Sequence, residues 1–202
     1  FMIGTGGSAL VSMTIGQGKK KEANEYFSML VYVVVIVGIV LTLLGVIFTK
    51  EIAILMGAEG ETLTHCVTYG RILMCALTPF MLQNVFQSFF VTAEKPQLGL
   101  IVTVIAGLTN VVLDWLFIGV FEWSIVGAAL ATGISQLIGG IIPVIYFLGK
   151  NSSELKLVKA KIDFRALGKT CFNGSSFFTA LGNGLVSALI SFLRTLLFQV
   201  VA

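Results

Sequence analysis

The sequence predicts an all-α fold, a polytopic transmembrane helical bundle, and its composition and apolar runs carry that prediction. Of the 202 residues, 56% are hydrophobic and only 11% are charged. A soluble domain carries about a quarter of its residues as charged side chains. The mean hydropathy is +0.98, and the apolar residues form runs that approach or exceed the roughly 20 residues of a membrane helix. These values exclude a soluble domain, a disordered tail, a disulfide-stapled secreted domain and a nucleic-acid-binding protein.

Five apolar runs are predicted to cross the membrane in succession. The run 26–48 has no charged residue and is the clearest of them, whereas the first run is short for a full crossing. The third run contains Pro79, which predicts a bend because proline removes a backbone hydrogen bond. The five predicted crossings are residues 1–16, 26–48, 66–93, 97–121 and 124–148.

The basic residues predict the orientation of these crossings. Loops 17–25, 94–96 and 149–169 hold ten of the thirteen Lys and Arg residues, and they alternate with loops that hold only Lys50. Because Lys and Arg accumulate on the cytoplasmic side, these three loops are predicted to be cytoplasmic. The chain is therefore predicted to be a multi-pass protein of the cell (plasma or inner) membrane.

The loop 149–169 is the longest of the three and has a pattern of its own. Its apolar residues Leu155, Val158 and Ile162 recur at intervals of three and four. This spacing predicts a helix that lies on the membrane surface.

Asp114 lies inside a predicted crossing, whereas the other nine carboxylates lie in loops or at helix ends. An Asp at the centre of a membrane helix costs about 2.5–3.5 kcal/mol. Asn110 is one turn earlier and on the same face, so its amide oxygen can join the carboxylate in holding a cation or a proton. Ionisable residues inside membranes mark ion or proton pathways. The alternative is that Asp114 is a structural residue, hydrogen-bonded to a neighbouring helix.

Two further groups of polar residues lie within the predicted crossings. Thr132 and Gln136 are one turn apart in a run that is rich in small residues, and small residues let helices approach closely. A polar patch in the third crossing is predicted to line a substrate path together with Gln136, and a buried packing seam is the alternative. This patch consists of Gln83, Asn84 and Gln87. Catalytic pairs and metal-binding motifs are not found, so the sequence predicts neither an enzyme nor a cofactor.

Four stretches of the sequence resemble the MATE family, the multidrug and toxic compound extrusion antiporters. The resemblance runs across nearly the whole chain, and the prokaryotic DNA-damage-inducible branch is the most similar part of the family. The four stretches are residues 4–20 (GTGGSALVSMTIGQGKK), residues 78–99 (TPFMLQNVFQSFFVTAEKPQLG), Asn110-x-x-x-Asp114 and residues 127–132 (GAALAT).

The resemblance implies a twelve-helix protein with two six-helix lobes and a cavity between them. The chain would then supply about the second to seventh helices. Residues 1–148 would be membrane helices of the N-terminal lobe, 149–165 a basic cytoplasmic loop between the lobes, and 166–202 the start of the C-terminal lobe. The implied partners are the lipid bilayer, small organic and often cationic substrates, and the remainder of the protein's own chain, namely a first helix and the C-terminal lobe.

The resemblance also implies a cation site. In this branch an Asp on the fifth helix, an Asn one turn before it and a Thr on the sixth helix form such a site. Asp114, Asn110 and Thr132 match these positions, with Na⁺ or H⁺ as the coupling ion. One departure is Phe177, which stands where relatives commonly have Glu after Asn-Gly-Ser-Ser, and which binds neither a proton nor a cation.

The function expected from these observations is a cation-coupled antiporter that exports amphipathic or cationic organic compounds by alternating access, with Asp114 as the coupling carboxylate. One alternative is a flippase of lipid-linked precursors from the same superfamily. Such a protein needs basic residues in its cavity, and only Arg71 and Arg194 lie within apolar runs. The other alternative is a non-transporting membrane scaffold, which does not account for the pairing of Asp114 with Asn110.

Overall fold

The computed structural model describes residues 2–149, 152–160 and 162–180, and in this part of the chain the regular structure is entirely helical. The predicted all-α fold is therefore confirmed. In chain order the helices are α1 (Met2–Gly16), α2 (Lys20–Leu55), α3 (Gly60–Cys75), α4 (Leu77–Thr92), α5 (Pro96–Asp114), a π-helix (Trp115–Val120), α6 (Ser124–Leu148) and α7 (Phe164–Ala180).

Three helical segments are long and apolar enough to cross a membrane. They are α2, α5 with its π-helical extension, and α6, and the bent pair α3–α4 makes a fourth crossing if it is taken as one span. The helix α2 has 36 residues, or about 54 Å. It contains the predicted crossing 26–48 and continues into both flanking loops. The helix α1 has only 15 residues, so by length it falls short of a full crossing.

The third predicted crossing is two helices rather than one. The helix α3 ends at Cys75, α4 begins at Leu77, and their axes differ by 48°. A proline ring clashes with the carbonyl group four residues earlier, which for Pro79 is the carbonyl of Cys75. The predicted bend is confirmed, but the break lies at Ala76 because the clash acts one turn before the proline.

The phenylalanine cluster forms the centre of the bundle. The ring of Phe27 on α2 lies 4.7 Å from that of Phe89 on α4 and 5.0 Å from that of Phe147 on α6, as measured between centroids. Phe86 stacks on Phe147 at 5.6 Å. All four rings are fully buried. The outward faces of α2 and α5 expose large apolar side chains, as a lipid-facing surface requires.

The helices α4 and α6 approach each other through two glycines of α6. A Cβ atom on Gly140 would lie 2.6 Å from the backbone oxygen of Pro79, and one on Gly139 would lie 2.6 Å from the side chain of Gln83. The missing side chains let the two backbones come together, as small residues do between membrane helices.

The surface helix predicted for loop 149–169 is wrong for residues 152–160. This segment is irregular, and α7 begins only at Phe164. Residues 153–158, which we call the strap, follow the side of α2. Their apolar side chains point inward at alternate positions, with Leu155 fully buried and Leu157 packed on the core, as in an extended chain. Val158 and Ile162 of the predicted apolar face are exposed.

Side chains of α2 explain why the strap is extended. The side-chain amide of Asn24 donates to the backbone oxygen of Glu154 at 3.2 Å and accepts from the backbone N–H of Lys156 at 2.6 Å. The hydroxyl of Ser28 accepts from the N–H of Val158 at 2.8 Å. These bonds satisfy backbone groups of the strap that a helix would otherwise pair internally.

The three basic loops lie at the same end of the bundle, which we call the basic end. The hydroxyl groups of Ser12 on α1 and Thr92 on α4 are 3.4 Å apart, so the turns that follow these two helices are neighbours. Lys20 forms an ion pair with Glu154, which joins the first basic loop to the strap. Most of the basic residues that the structure describes therefore lie on one side of the molecule.

Candidate functional site

The interface between α5 and α6 brings two of the predicted site residues together. The amide nitrogen of Asn110 on α5 lies 3.5 Å from the hydroxyl oxygen of Thr132 on α6. Both side chains are half-buried. Between them the two helices are in extensive contact, and this part of α6 is rich in small residues, which let helices approach closely.

Asp114 is the last residue of α5 and lies one turn after Asn110 on the same helix. Residues four apart share a helix face, so the carboxylate lies on the side of α5 that carries Asn110. Asp114 is half-buried, and within the described residues no hydrogen bond or ion pair is found for its carboxylate. The neighbouring-helix hydrogen bond of the structural alternative is therefore not observed in this part of the chain.

The π-helix Trp115–Val120 begins directly after Asp114, and the sequence did not predict it. Its wider turn is seen in the bond from the N–H of Phe121 to the oxygen of Leu116, 3.0 Å long, which spans five residues. The ring of Phe117 stacks on Trp123 at 5.2 Å and holds this segment against the start of α6. Short π-helical segments are rare in proteins as a whole, and those that occur are often at functional sites.

Tyr69 on α3 is a residue that the sequence analysis missed. It is half-buried and lies near enough to Asp114 for the carboxylate charge to act on its phenol group, although no hydrogen bond joins the two within the described residues. The phenol is a hydrogen-bond donor that keeps its proton at neutral pH. The available signal was a tyrosine inside the third predicted crossing, but the sequence does not show that α3 faces the end of α5.

The donor atoms at this site suit a hard monovalent cation or a proton. A carboxylate, an amide oxygen and a hydroxyl oxygen are all oxygen ligands, which hard cations prefer. The Asn110 nitrogen is directed to Thr132, so the oxygen of the same amide is left to act as a ligand. A proton requires only the Asp114 carboxylate. The ligand types alone therefore do not distinguish Na⁺ from H⁺.

The predicted polar patch of α4 is divided among three neighbours. Gln83 packs over Gly139 of α6. The amide of Gln87 donates to the oxygen of Gly99 at 3.1 Å and to the hydroxyl of Thr103 at 2.5 Å, both on α5. Gln83 and Gln87 thus contact neighbouring helices, and both are half-buried, as is Gln136 of α6. That these residues line a substrate path stays a prediction.

Asn84 is the member of the patch that lines a cavity. This cavity, of about 250 Å³, lies between α1, α2 and α4. The Asn84 amide donates to the oxygen of Phe80 at 2.8 Å, and the other lining residues are apolar, namely Met2, Ile3, Val34, Phe80, Met81 and Val85. The side chain of Phe177 lies outside the described residues.

The family model MatE matches residues 1–116. The chain is 31% identical over 153 residues to the multidrug export protein MepA of Staphylococcus haemolyticus, a match that covers 75% of this chain and 34% of the relative. It is 29% identical over 150 residues to MepA of Staphylococcus saprophyticus, covering 74% and 33%. The chain spans about a third of the length of these curated relatives.

Solved structures of MATE transporters share the fold. The inward-facing conformation of a multidrug resistance MATE family transporter of the MOP superfamily aligns with a TM-score of 0.80 at 21% identity, over 86% of this chain and 40% of that one. A MATE structure in complex with MaD3S aligns at 0.83 and 21%, over 95% and 43%. Since the family model matches more than half of the residues, the resemblance seen in the sequence is confirmed: the chain belongs to the MATE family and forms part of its multi-pass helical membrane bundle.

Proposed function

We propose that the protein exports amphipathic or cationic organic compounds in exchange for Na⁺ or H⁺, with Asp114 as the coupling carboxylate. The observation that carries the proposal is the site at the α5–α6 interface. There, a carboxylate inside a membrane-crossing segment lies one turn from Asn110, which contacts Thr132 at 3.5 Å. The curated relatives bear the name multidrug export protein, which supports transport and not enzymatic catalysis.

The chemistry proposed for the site is the binding and release of Na⁺ or a proton at the Asp114 carboxylate. With Na⁺ bound, the Asp114 carboxylate, the Asn110 oxygen and the Thr132 hydroxyl would each contribute an oxygen ligand. With a proton bound, the carboxyl group would be neutral and would need no cation ligand. In either case the charge inside the membrane is neutralised, which lowers the cost of keeping Asp114 in this environment.

The proposed transport cycle is alternating access between two lobes. A site on α5 and α6 can influence such a motion because α6 also contacts α3 and α4. The cycle needs the remainder of the protein's chain, which we propose as the partner of the helices described here. We also propose that the basic end faces the cytoplasm, in accordance with the distribution of Lys and Arg.

The proposal is tested with the full-length protein in sealed vesicles that are loaded with a fluorescent organic cation. An imposed Na⁺ gradient and an imposed pH gradient are applied separately, with the membrane potential clamped. We expect one of the two gradients to accelerate dye movement out of the vesicles, with the opposite gradient reversing it. Dye movement at the same rate without any ion gradient would contradict coupling.

A further inference from the structure

The strap at the basic end holds the backbone of Lys156 beside α2, and Lys159 follows directly after the strap. Its partners Asn24, Ser28 and Tyr32 are four residues apart on α2, a rise of about 6 Å for each step. Two residues of an extended chain rise by about 6.6 Å, so alternate strap residues meet successive turns of α2. The Tyr32 hydroxyl completes the series by donating to the oxygen of Val158 at 3.2 Å.

The other side of the strap is fastened to α6. The N–H of Leu157 donates to the oxygen of Phe147 at 3.0 Å, and Leu155 is fully buried. With its alternate side chains buried, the strap turns Lys156 outward, and Lys156 is exposed. Hydrogen bonds to α2 on one side and to α6 on the other therefore fix the backbone position of Lys156.

Two acidic residues near the strap are engaged, whereas Glu25 of α2 is exposed and takes part in neither of the ion pairs found among the described residues. Glu154 forms an ion pair with Lys20. The carboxylate of Asp163 caps the start of α7, where it accepts from the N–H groups of Arg165 at 2.8 Å and of Ala166 at 3.4 Å. Such a cap satisfies helix N–H groups that have no partner in the helix.

Several exposed basic residues in the same region take part in none of the ion pairs found among the described residues. Lys21, Lys156, Lys159 and Arg165 are exposed, and the ion pairs found among the described residues, Lys19–Glu22 and Lys20–Glu154, involve none of them. Phe164, which precedes Arg165, is 78% exposed. Exposed basic residues beside an exposed aromatic ring are typical of a surface that lies at the membrane interface.

The position of the strap along α2 places it near the lipid headgroups. Large apolar side chains of α2 are exposed from Tyr32 and Ile36 onward, which marks the start of the hydrocarbon region. Asn24, the partner of Lys156, lies about 12 Å before Tyr32 along the helix. The headgroup layer is about 5–8 Å thick on each side of the bilayer, so the Val158 end of the strap lies at the hydrocarbon boundary and the backbone of its Lys156 end lies just outside the layer, from where the long lysine side chain reaches it.

We propose that the strap, together with the first turns of α2 and α7, is a binding surface for anionic phospholipid headgroups. Lys156, Lys159 and Arg165 pair with the phosphate and the anionic headgroup, and Phe164 lies among the first acyl carbons. A single basic residue near an anionic leaflet changes lipid affinity about fivefold. The strap makes the surface specific because its hydrogen bonds to Asn24 and Ser28 set the backbone positions of Lys156 and of Val158, which precedes Lys159.

The test measures which lipid remains bound to the purified full-length protein after its transfer from bilayers of equal phosphatidylcholine and phosphatidylglycerol. Native mass spectrometry gives the ratio of the two bound lipids. Lys156→Gln with Lys159→Gln removes charge, and Asn24→Ala with Ser28→Ala releases the strap but keeps its charge. Lys50→Gln is the matched control because Lys50 is exposed at the opposite end of α2.

We expect the wild type and Lys50→Gln to retain phosphatidylglycerol in preference, and the lysine pair to lose that preference by a factor of at least about five. The strap-releasing pair should also lose it, although its net charge is unchanged. An unchanged ratio in the lysine pair would overturn the proposal, and these residues are exposed, so the result does not depend on folding. Equal loss in Lys50→Gln, or displacement of the lipid by soluble glycerophosphate, would equally overturn it.

Discussion

Gly140 offers a test of how closely α4 and α6 must pack. A Cβ atom at this position would lie 2.6 Å from the backbone oxygen of Pro79, whereas ordinary contacts begin at 3.4 Å. The two helices would have to separate by about 0.8 Å, because a backbone oxygen cannot turn away as a side chain can. Overpacking of this kind costs about 1–3 kcal/mol, which exceeds or cancels the gain of about 1 kcal/mol that Ala has over Gly in a helix.

Gly133 is the matched control because it lies two turns earlier on the same face of α6. A Cβ atom on Gly133 would lie 3.7 Å from the Cβ of Ala76, which is an ordinary contact. Gly133→Ala should therefore keep the helix gain without the clash. We expect its melting temperature in detergent to equal or exceed the wild type.

The assay is thermal unfolding of the two purified variants, followed by loss of the monodisperse peak in size-exclusion chromatography. The two variants should differ by about 1–3 kcal/mol, and each kcal/mol corresponds to about 2–4 °C in a chain of this size. Gly140→Ala should be the less stable of the two. If it melts at or above the temperature of Gly133→Ala, the close α4–α6 contact does not exist as described.

Three further predictions concern the core, the α4–α5 seam and the site. Phe147→Ala should destabilise the protein by about 3–5 kcal/mol because it removes ring contacts with Phe27, Phe86, Phe90 and Tyr146. Leu148→Ala, at a 65% exposed position, should have little effect in the same thermal assay. Gln87→Leu should lower the melting temperature because it removes the bonds to α5, each worth about 1 kcal/mol, and an unchanged value would show that the seam is not stabilising. Asn110→Ala should weaken the apparent affinity for the coupling ion about 2–10-fold in the efflux assay. Thr109→Ala is the control because the Thr109 hydroxyl bonds to its own helix. Equal weakening in both variants would count against Asn110 as an ion ligand.

Much of the architecture was predictable because membrane crossings leave a strong signal. The apolar runs and the alternation of basic loops follow from composition. Three of the five helical segments, α1, α5 with the π-helix, and α6, extend close to the predicted ends, whereas α2 and α3 continue into the flanking loops. The bend near Pro79 followed from proline chemistry, although its position depended on the carbonyl of Cys75. The π-helix after Asp114 was not predictable, since its hydrogen bonds and ring stacking are set by the contact with α6.

Parts of the site and of the strap could not be predicted because they depend on how the helices pack. Asn110 and Asp114 share a face by helix periodicity alone, and their pairing with Thr132 came from resemblance. Tyr69 was missed because its proximity to Asp114 depends on how α3 packs in the bundle. The strap was mistaken for a helix because Leu155, Val158 and Ile162 fit a helical spacing, whereas Asn24 and Ser28 compete for the backbone groups that a helix would use.

The central claim is that Asp114 carries the coupling charge, and Asp114→Asn in the full-length protein tests it most directly. Asn keeps the shape and an acceptor oxygen but can neither bind a proton nor bring a negative charge to a cation. The control is Glu122→Gln, which removes an exposed carboxylate just beyond the π-helix. Ion-driven efflux and the amount of protein in the membrane are measured together. We expect Asp114→Asn to abolish efflux at a normal membrane level while Glu122→Gln remains active. Normal ion-driven efflux by Asp114→Asn, or a loss that only follows a lower protein level, would contradict the account.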